Sequence, residues 1–322
     1  MRADEFELLL GLLSRLTVEQ KDRLRVSLAA GDQEAAVVEL LESRLGADPC
    51  CVHCGAERVL RWGFSHGLQR FRCRDCRRSF NALTGTPLAR LRKKASWLIF
   101  AESLSEGLSV KAAAERCSVA PSTSFRWRHR FLQAKTADSE ALSGIVEADE
   151  TFFRLSFKGS RRWRSGPNPP DRAAKKRGSK AQKRGLSHEQ VPVLVTRDRS
   201  GSTRACVLEN RSADAIEEAI GAVLPKDGIL CSDAWDAFGV VARKHDIRHE
   251  PINVSAGERV RENIWHIQNA NAHHSRLKDW VRGFKGVATH YLPNYLAWHH
   301  GAERYRGKND HASRWIRLAI NS

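Results

Sequence analysis

The sequence lacks any run of 18 apolar residues, the length that a membrane-spanning helix requires. Its start, MRADEFELLLGLLSRL, lacks the basic first residues and small-residue cleavage site of a secretory signal peptide. Acidic side chains are scarce, since 37 Asp and Glu face 54 Lys and Arg, giving a formal net charge of +17. These absences predict a cytoplasmic protein with no membrane partner, and the positive charge predicts binding to a polyanion, with nucleic acid the first candidate.

Cysteine is concentrated in one short segment, where two Cys-x2-Cys pairs are separated by 18 residues. Disulfides are rare in a reducing cytoplasm, and this spacing is typical of a zinc site with four thiolate ligands. We therefore expect one structural Zn²⁺. Cys50 is an alternative to its neighbour, and His53 or His66 could also enter the site. The expected ligands are Cys51, Cys54, Cys73 and Cys76.

Composition divides the chain into four expected segments. The first is helical and more acidic than basic, which favours packing or self-association over DNA binding. A zinc ribbon, a helix-turn-helix domain and a larger α/β domain follow. The expected segments are 1–46, 47–88, 89–138 and 139–322.

The third segment has the pattern of three helices, at about 95–105, 109–117 and 121–134, with short breaks between them. The last helix is expected to enter a DNA groove, although a plain helical bundle with a basic surface would give a similar pattern. The residues expected to face DNA are Ser122, Thr123, Arg126 and Arg130. Those expected to pack inward are Phe125, Phe131 and Leu132.

In the fourth segment, strand patterns alternate with helical patterns. A basic insertion, 154–188, interrupts them and is either a solvated linker or a segment that lies on phosphates. Its expected phosphate contacts include Lys175, Lys176 and Arg177. The predicted strands are 144–149, 191–197, 202–208, 228–232 and one near 247–254.

Carboxylates follow two of these strands. SGIVEADETFFRL carries Glu147, Asp149 and Glu150, and GILCSDAWDAF carries Asp233 and Asp236. An edge strand with one wet face would explain the first group, but its alternation fits neither face. Two strand ends that meet could hold Mg²⁺, which prefers hard oxygen ligands.

A later segment, HIQNANAHHSRLKDWVRGF, has helical periodicity. Asn271, His274, Ser275 and Lys278 share one face of this helix. An amide oxygen and an ammonium on this face could contact a metal and a phosphate. Taken alone, the face also fits an ordinary polar helix surface.

The order EADET, CSDAWDAF and QNANAHHSRLKDWVRGFKGVATHYLPNYLAWHH, downstream of the cysteine pairs, resembles that of the transposases of a bacterial insertion-sequence family. Those enzymes resemble the DDE transposases but carry asparagine at the third position, followed by lysine. The resemblance covers nearly the whole chain and weakens toward the N-terminus. It implies a multidomain α/β protein whose catalytic domain is ribonuclease-H-like, a mixed sheet flanked by helices. The implied activity is DNA cleavage and strand transfer at transposon ends.

The resemblance also implies the site. The two aspartates fall on Asp149 and Asp233, the asparagine on Asn271 and the lysine on Lys278, while Glu262 is a rival third ligand. Two Mg²⁺ or Mn²⁺ ions are implied per site. The implied partner is double-stranded DNA, both terminal inverted repeats and target, bound at the bacterial nucleoid by a homodimer or larger oligomer. A DNA-binding regulator, an inactive domesticated transposase and a simple nuclease are the alternatives.

Overall fold

The computed structural model describes residues 3–13, 15–133, 141–159, 187, 189–305 and 310–321. Contacts divide the chain into two compact units, of which the first comprises Met1–Lys135 and Tyr305–Ser322, and the second Thr136–Arg304. The last helix of the chain therefore lies in the first unit, whereas the expected α/β segment ran on to residue 322. No helix among the described residues has the length and apolar content needed to cross a membrane.

The first unit begins with two helices, α1 (Ala3–Leu13) and α2 (Val18–Glu42). Thr17 starts α2 with a capping box, because its hydroxyl accepts from the Gln20 amide while the Gln20 side chain accepts from the Thr17 amide. The C-terminal part of α2 carries its buried apolar residues, including Leu41. The predicted helical N-terminal segment is thus observed among the described residues.

The cysteine-rich segment folds as a small antiparallel sheet of β1 (Val59–Ser65), β2 (Leu68–Cys73) and β3 (Ser79–Phe80). Its core is very small, with Phe80 stacked on Phe71 at a ring-centroid distance of 5.6 Å. So few apolar contacts do not stabilise a fold of this size without a further crosslink.

Three consecutive helices follow, α3 (Trp97–Ser105), α4 (Val110–Arg116) and α5 (Pro121–Phe131), close to the predicted bounds. Ser109 caps α4, and a proline occupies the first position of α5. The C-terminal helix α10 (His311–Ile320) packs against α3.

The inward face of α5 differs from the prediction at Phe125, which is 40% exposed. Phe131 and Leu132 are buried as predicted. Ser124, Trp127, Arg128 and Phe131 are buried at the spacing i, i+3, i+4 and i+7 and so form one helical stripe, and His129 is buried beside it. Phe125 lies outside this stripe, and its ring packs on His129 with the centroids 4.5 Å apart.

The second unit is built on a five-stranded mixed sheet with the order β6-β5-β4-β7-β8. The central strand, β4, is antiparallel to β5 and parallel to β7, and β8 is parallel to β7. This mixed sheet, with helices on both faces, is the predicted ribonuclease-H-like fold. The strands are β4 (Ile145–Arg154), β5 (Gln190–Asp198), β6 (Thr203–Val207), β7 (Ile229–Asp233) and β8 (Arg248–Ile252).

Helices cover both faces of this sheet. On one face, α6 (Ala213–Ile220) and α7 (Asp236–Lys244) pack against Val146, Ala148 and Leu230. On the other face, Val193 and Val195 contact residues of α8 (Gln268–Arg282) and α9 (Leu292–Arg304). Because β4 alternates between the faces, Glu147 and Asp149 lie on the α8 side.

The central strand extends beyond its predicted end at residue 149. β4 pairs with β5 as far as Arg154, whereas β7 stops at Asp233. The sequence pattern predicted that the strand ends at Asp149, but in the structure Asp149 lies within β4. It lies just after the last residue of β4 that pairs with the parallel strand β7, and this position borders the candidate active site.

Candidate active site

Two aspartates lie side by side at the carboxyl end of the parallel strands. Ala148 of β4 is paired with Ser232 of β7, so the next residues, Asp149 and Asp233, are adjacent. Their carboxylate oxygens and those of Glu150 lie within 4.8 Å of one another. The three residues form the carboxylate cluster, which brings together the two aspartates singled out by the sequence.

Glu150 belongs to this cluster although the resemblance implies no ligand role for it. Its side chain is almost fully buried and accepts from the guanidinium of Arg211, with Nε 2.9 Å from Oε1. Arg211 also lies over the Trp235 ring, 4.3 Å from its centroid. Arg211 precedes α6 and is 61 residues from Glu150, so no local sequence signal connected them.

Glu147 has a different partner, the N-terminus of α8. Its carboxylate accepts from the backbone amides of Asn269 (2.7 Å) and Ala270 (3.1 Å), and from the Asn269 side chain at 2.7 Å. Arg199 forms an ion pair with it at 3.3 Å, and the Glu147 side chain is fully buried. A carboxylate satisfies unpaired amides and the positive end of the helix dipole at this position. Glu147 thus fixes where α8 begins.

The polar face of α8 meets the carboxylate cluster at His274. Its Nδ1 lies 3.7 Å from Asp149 Oδ2, and its side chain is buried. Asn271 precedes His274 by three residues and Lys278 follows it by four, so both lie on the same helix face. Both are exposed. The rival ligand Glu262 lies outside the carboxylate cluster and accepts from the indole nitrogen of Trp265 at 3.1 Å.

Crowding of negative charge perturbs the titration of these side chains. Burial, followed by the charges of Asp233 and Glu150, raises the pKa of Asp149 from 3.8 to about 7. Burial and the charge of Glu150 likewise raise the pKa of Asp233. In contrast, burial and the charges of Lys278 and His273 lower the pKa of His274 to about 4. His274 is therefore neutral at physiological pH, and the cluster lacks enough internal positive charge to balance its carboxylates.

These pKa shifts predict a pH-dependent effect of Asp149→Asn in protein stripped of metal. Because the pKa of Asp149 is raised in the folded state, the contribution of this side chain to the free energy of unfolding is fully present below about pH 4 and is lost as the pH rises to about 7. The variant should be more stable than the wild type above that window, by on the order of 4 kcal/mol, and equally stable below it. Urea unfolding at both pH extremes measures this difference. An equal difference at the two extremes would contradict the assignment.

The cysteine cluster assembles as predicted. The Sγ atoms of Cys51, Cys54, Cys73 and Cys76 all lie within 4.8 Å of one another. Backbone amides point at the sulfurs, with the Asp75 amide 3.3 Å from Cys73 Sγ. Cys50 is exposed and outside the cluster, so Cys51 is the member that the structure selects. Four converging thiolates with amide donors around them fit one tetrahedral Zn²⁺, which would supply the missing crosslink.

The residues expected to face DNA on α5 differ in their surroundings. Ser122 and Arg126 are exposed, and Thr123 is half-buried. Arg130 donates to the backbone oxygen of Ala89 at 3.0 Å, so its guanidinium is anchored within the first unit. The expected phosphate contacts Lys175, Lys176 and Arg177 lie outside the described residues.

Comparisons with known proteins agree with this architecture. Residues 141–299 match the family model of the ISXO2-like transposase domain. A protein of Halobacterium salinarum, described as an uncharacterized protein in transposable element ISH50, is 26% identical over 253 residues. That similarity covers 76% of this chain and 82% of the relative.

Solved transposase complexes also show similarity. The Mos1 strand transfer complex is 12% identical with a TM-score of 0.22, covering 70% of this chain and 77% of that one. The mariner Mos1 paired end complex with Mg is 13% identical with a TM-score of 0.21, covering 74% and 80%. These TM-scores are too low to carry an argument. Residues 141–299 are thus similar to an ISXO2-like transposase domain, and much of the chain is similar to a protein of a transposable element.

Proposed function

We propose that this protein is a transposase that binds the ends of its insertion sequence and catalyses metal-dependent DNA cleavage followed by strand transfer. The observation that carries the proposal is the carboxylate cluster of Asp149, Glu150 and Asp233, whose oxygens lie within 4.8 Å of one another. Three carboxylates seldom lie so close, partly buried, without a cation to offset their repulsion.

The donor set fits a divalent cation. Carboxylate oxygens are the ligands that Mg²⁺ and Mn²⁺ prefer. Burial, together with repulsion between the carboxylates, raises the pKa of Asp149 and of Asp233, and a dication would offset both effects. When bound, such ions would offset the negative charge that opposes attack on a phosphodiester. Asp149 and Asp233 are the proposed shared ligands.

The face of α8 that carries His274 supplies the remaining roles. Asn271 would offer an amide oxygen to the second cation. Because an amide carries no negative charge, it would bind this cation more weakly than a glutamate ligand would. Lys278 would bind a phosphate next to the scissile bond, since its ammonium lies on the same face. Burial lowers the pKa of Lys278 and the Asp149 carboxylate raises it, which is consistent with a lysine beside the cluster. His274, neutral beside Asp149, would hold that carboxylate in place.

The first unit would provide the DNA-binding surfaces. Ser122, Thr123 and Arg126 are the proposed contacts of α5, and the zinc ribbon would bind the same DNA end. For Arg130 the proposed role is to position α5 rather than to contact DNA, because its guanidinium is already bonded to Ala89. Joining two ends to one target requires at least two copies of the active site, so a homodimer or larger assembly is proposed.

A strand-transfer assay tests the proposal. Purified full-length protein is mixed with a labelled DNA end from its own element, a supercoiled target, and Mg²⁺ or Mn²⁺. Joined product that depends on the metal is the expected result. End binding without cleavage in either metal would favour a DNA-binding regulator or an inactive transposase. Cleavage with no joined product would favour a simple nuclease.

A further inference from the structure

A second group of metal-binding side chains lies away from the carboxylate cluster, between α8 and α9. His273 of α8 and His299 and Glu303 of α9 each offer one ligand atom, and these three atoms lie within 4.8 Å of one another. His299 and Glu303 are four residues apart, so the turn of α9 places them on one face. Both imidazoles are almost fully buried. Neither the family match nor the proposed chemistry requires this group.

The separations within the group suit a metal better than a hydrogen bond. His273 Nδ1 lies 3.3 Å from Glu303 Oε2, longer than a usual N–H···O bond, and it has no hydrogen-bond partner among the described residues. His299 Nδ1 lies 3.9 Å from the same oxygen. Two ligands that each lie about 2.0–2.2 Å from a tetrahedral Zn²⁺ are themselves about 3.3 Å apart. A buried polar nitrogen without a partner is otherwise costly.

The surroundings of the group also resemble those of a metal site. Arg276 Nε donates to Glu303 Oε1 at 2.8 Å, which orients the carboxylate and leaves Oε2 free for an ion. Arg276 is 46% exposed, so water screens its charge from a nearby cation. The Trp280 ring lies against His299, with the centroids 5.3 Å apart, and restricts that imidazole.

We infer that His273, His299 and Glu303 bind a Zn²⁺ ion through two nitrogens and one oxygen, with a water molecule in the fourth position. The ion crosslinks α8 to α9. The residue after His273 is His274, which lies beside Asp149, so the crosslink would hold the polar face of α8 against the carboxylate cluster. The site differs from the cysteine cluster in ligand type and lies in the other compact unit.

Cobalt reconstitution of the metal-stripped full chain tests the inference. Titration with Co²⁺ in excess Mg²⁺, which occupies the carboxylate cluster, should show two equivalents bound. Only the cysteine site gives thiolate-to-cobalt charge-transfer absorption. His299→Gln and Glu303→Gln should each lose one equivalent and keep the charge-transfer bands, whereas Cys73→Ser should lose the bands and keep the other equivalent.

The exposed His290 provides a matched control, since His290→Gln removes an imidazole outside the group and should leave both equivalents in place. Circular dichroism identifies any variant that fails to fold, and Glu303→Gln, near-isosteric and partly exposed, is the variant expected to keep its structure. A wild type that binds a single equivalent, or a folded Glu303→Gln that still binds two, would overturn the inference. Either result would leave the transposase proposal intact, because the strand-transfer assay tests the carboxylate cluster rather than the histidine group.

Discussion

Asp233→Asn should reduce DNA cleavage and joining by more than about 100-fold, exceeding the usual loss for a residue that only supports a metal ligand. The substitution keeps the size of the side chain but removes the negative charge of β7 that lies next to Asp149. End binding should be nearly unchanged, because the proposed contacts with the transposon end, on α5 and the zinc ribbon, lie in the first unit and do not include Asp233. Gel-shift and strand-transfer assays on the same preparation separate the two effects. Asp149→Asn should behave in the same way.

Asp236→Asn is the matched control for this prediction. Asp236 follows Asp233 by three residues, is exposed, and lies outside the carboxylate cluster. Its substitution changes the net charge by the same amount and should retain wild-type joining. Nicking of the DNA end by Asp233→Asn, or equal losses in both variants, would show that Asp233 is not a metal ligand.

Glu147→Ala should destabilise the second unit by about 3 kcal/mol, the lower end of the range for removing one partner of a buried ion pair. The substitution leaves the Asn269 and Ala270 amides without their acceptor and Arg199 without its counterion. Arg199 keeps some access to water, which moderates the loss. Urea unfolding followed by circular dichroism measures the change. Joining should also fall, since α8 carries Asn271 and Lys278.

Glu218 supplies the comparison for Glu147. It is exposed on α6, so Glu218→Ala should change the free energy of unfolding by less than about 0.5 kcal/mol. A Glu147→Ala protein as stable as this control would mean that the N-terminus of α8 does not depend on the buried carboxylate.

The sequence predicted the local elements of the chain well, because their signals are local. All five strands of the second unit and the three helices of the helix-turn-helix pattern occur close to their predicted positions. The paired cysteines also converge as their spacing predicted. Phe125 was assigned to the wrong face of α5, because an aromatic residue at the edge of a helical stripe is apolar enough to fit either side.

The sequence did not distinguish the roles of the three carboxylates of β4. Glu147, Asp149 and Glu150 all carry a carboxylate, yet each side chain has a different partner. Glu147 accepts hydrogen bonds from backbone amides of α8, Asp149 lies beside Asp233, and Glu150 pairs with Arg211. Those partners lie 61 to 123 residues away along the chain, so no periodicity or spacing rule could assign them.

The sequence by itself determined the kinds of chemistry that the chain carries: thiolates at the spacing of a zinc site, aspartates on two strands, and an asparagine and a lysine on one helical face. Residue type and short-range spacing determine these features, and both can be read directly. Only the tertiary structure decided that Glu150 joins Asp149 and Asp233, that Glu147 begins α8, and that His273 meets His299 and Glu303. Sheet order and helix packing bring these groups together, and they depend on burial of apolar surface summed over the whole unit rather than on any one segment.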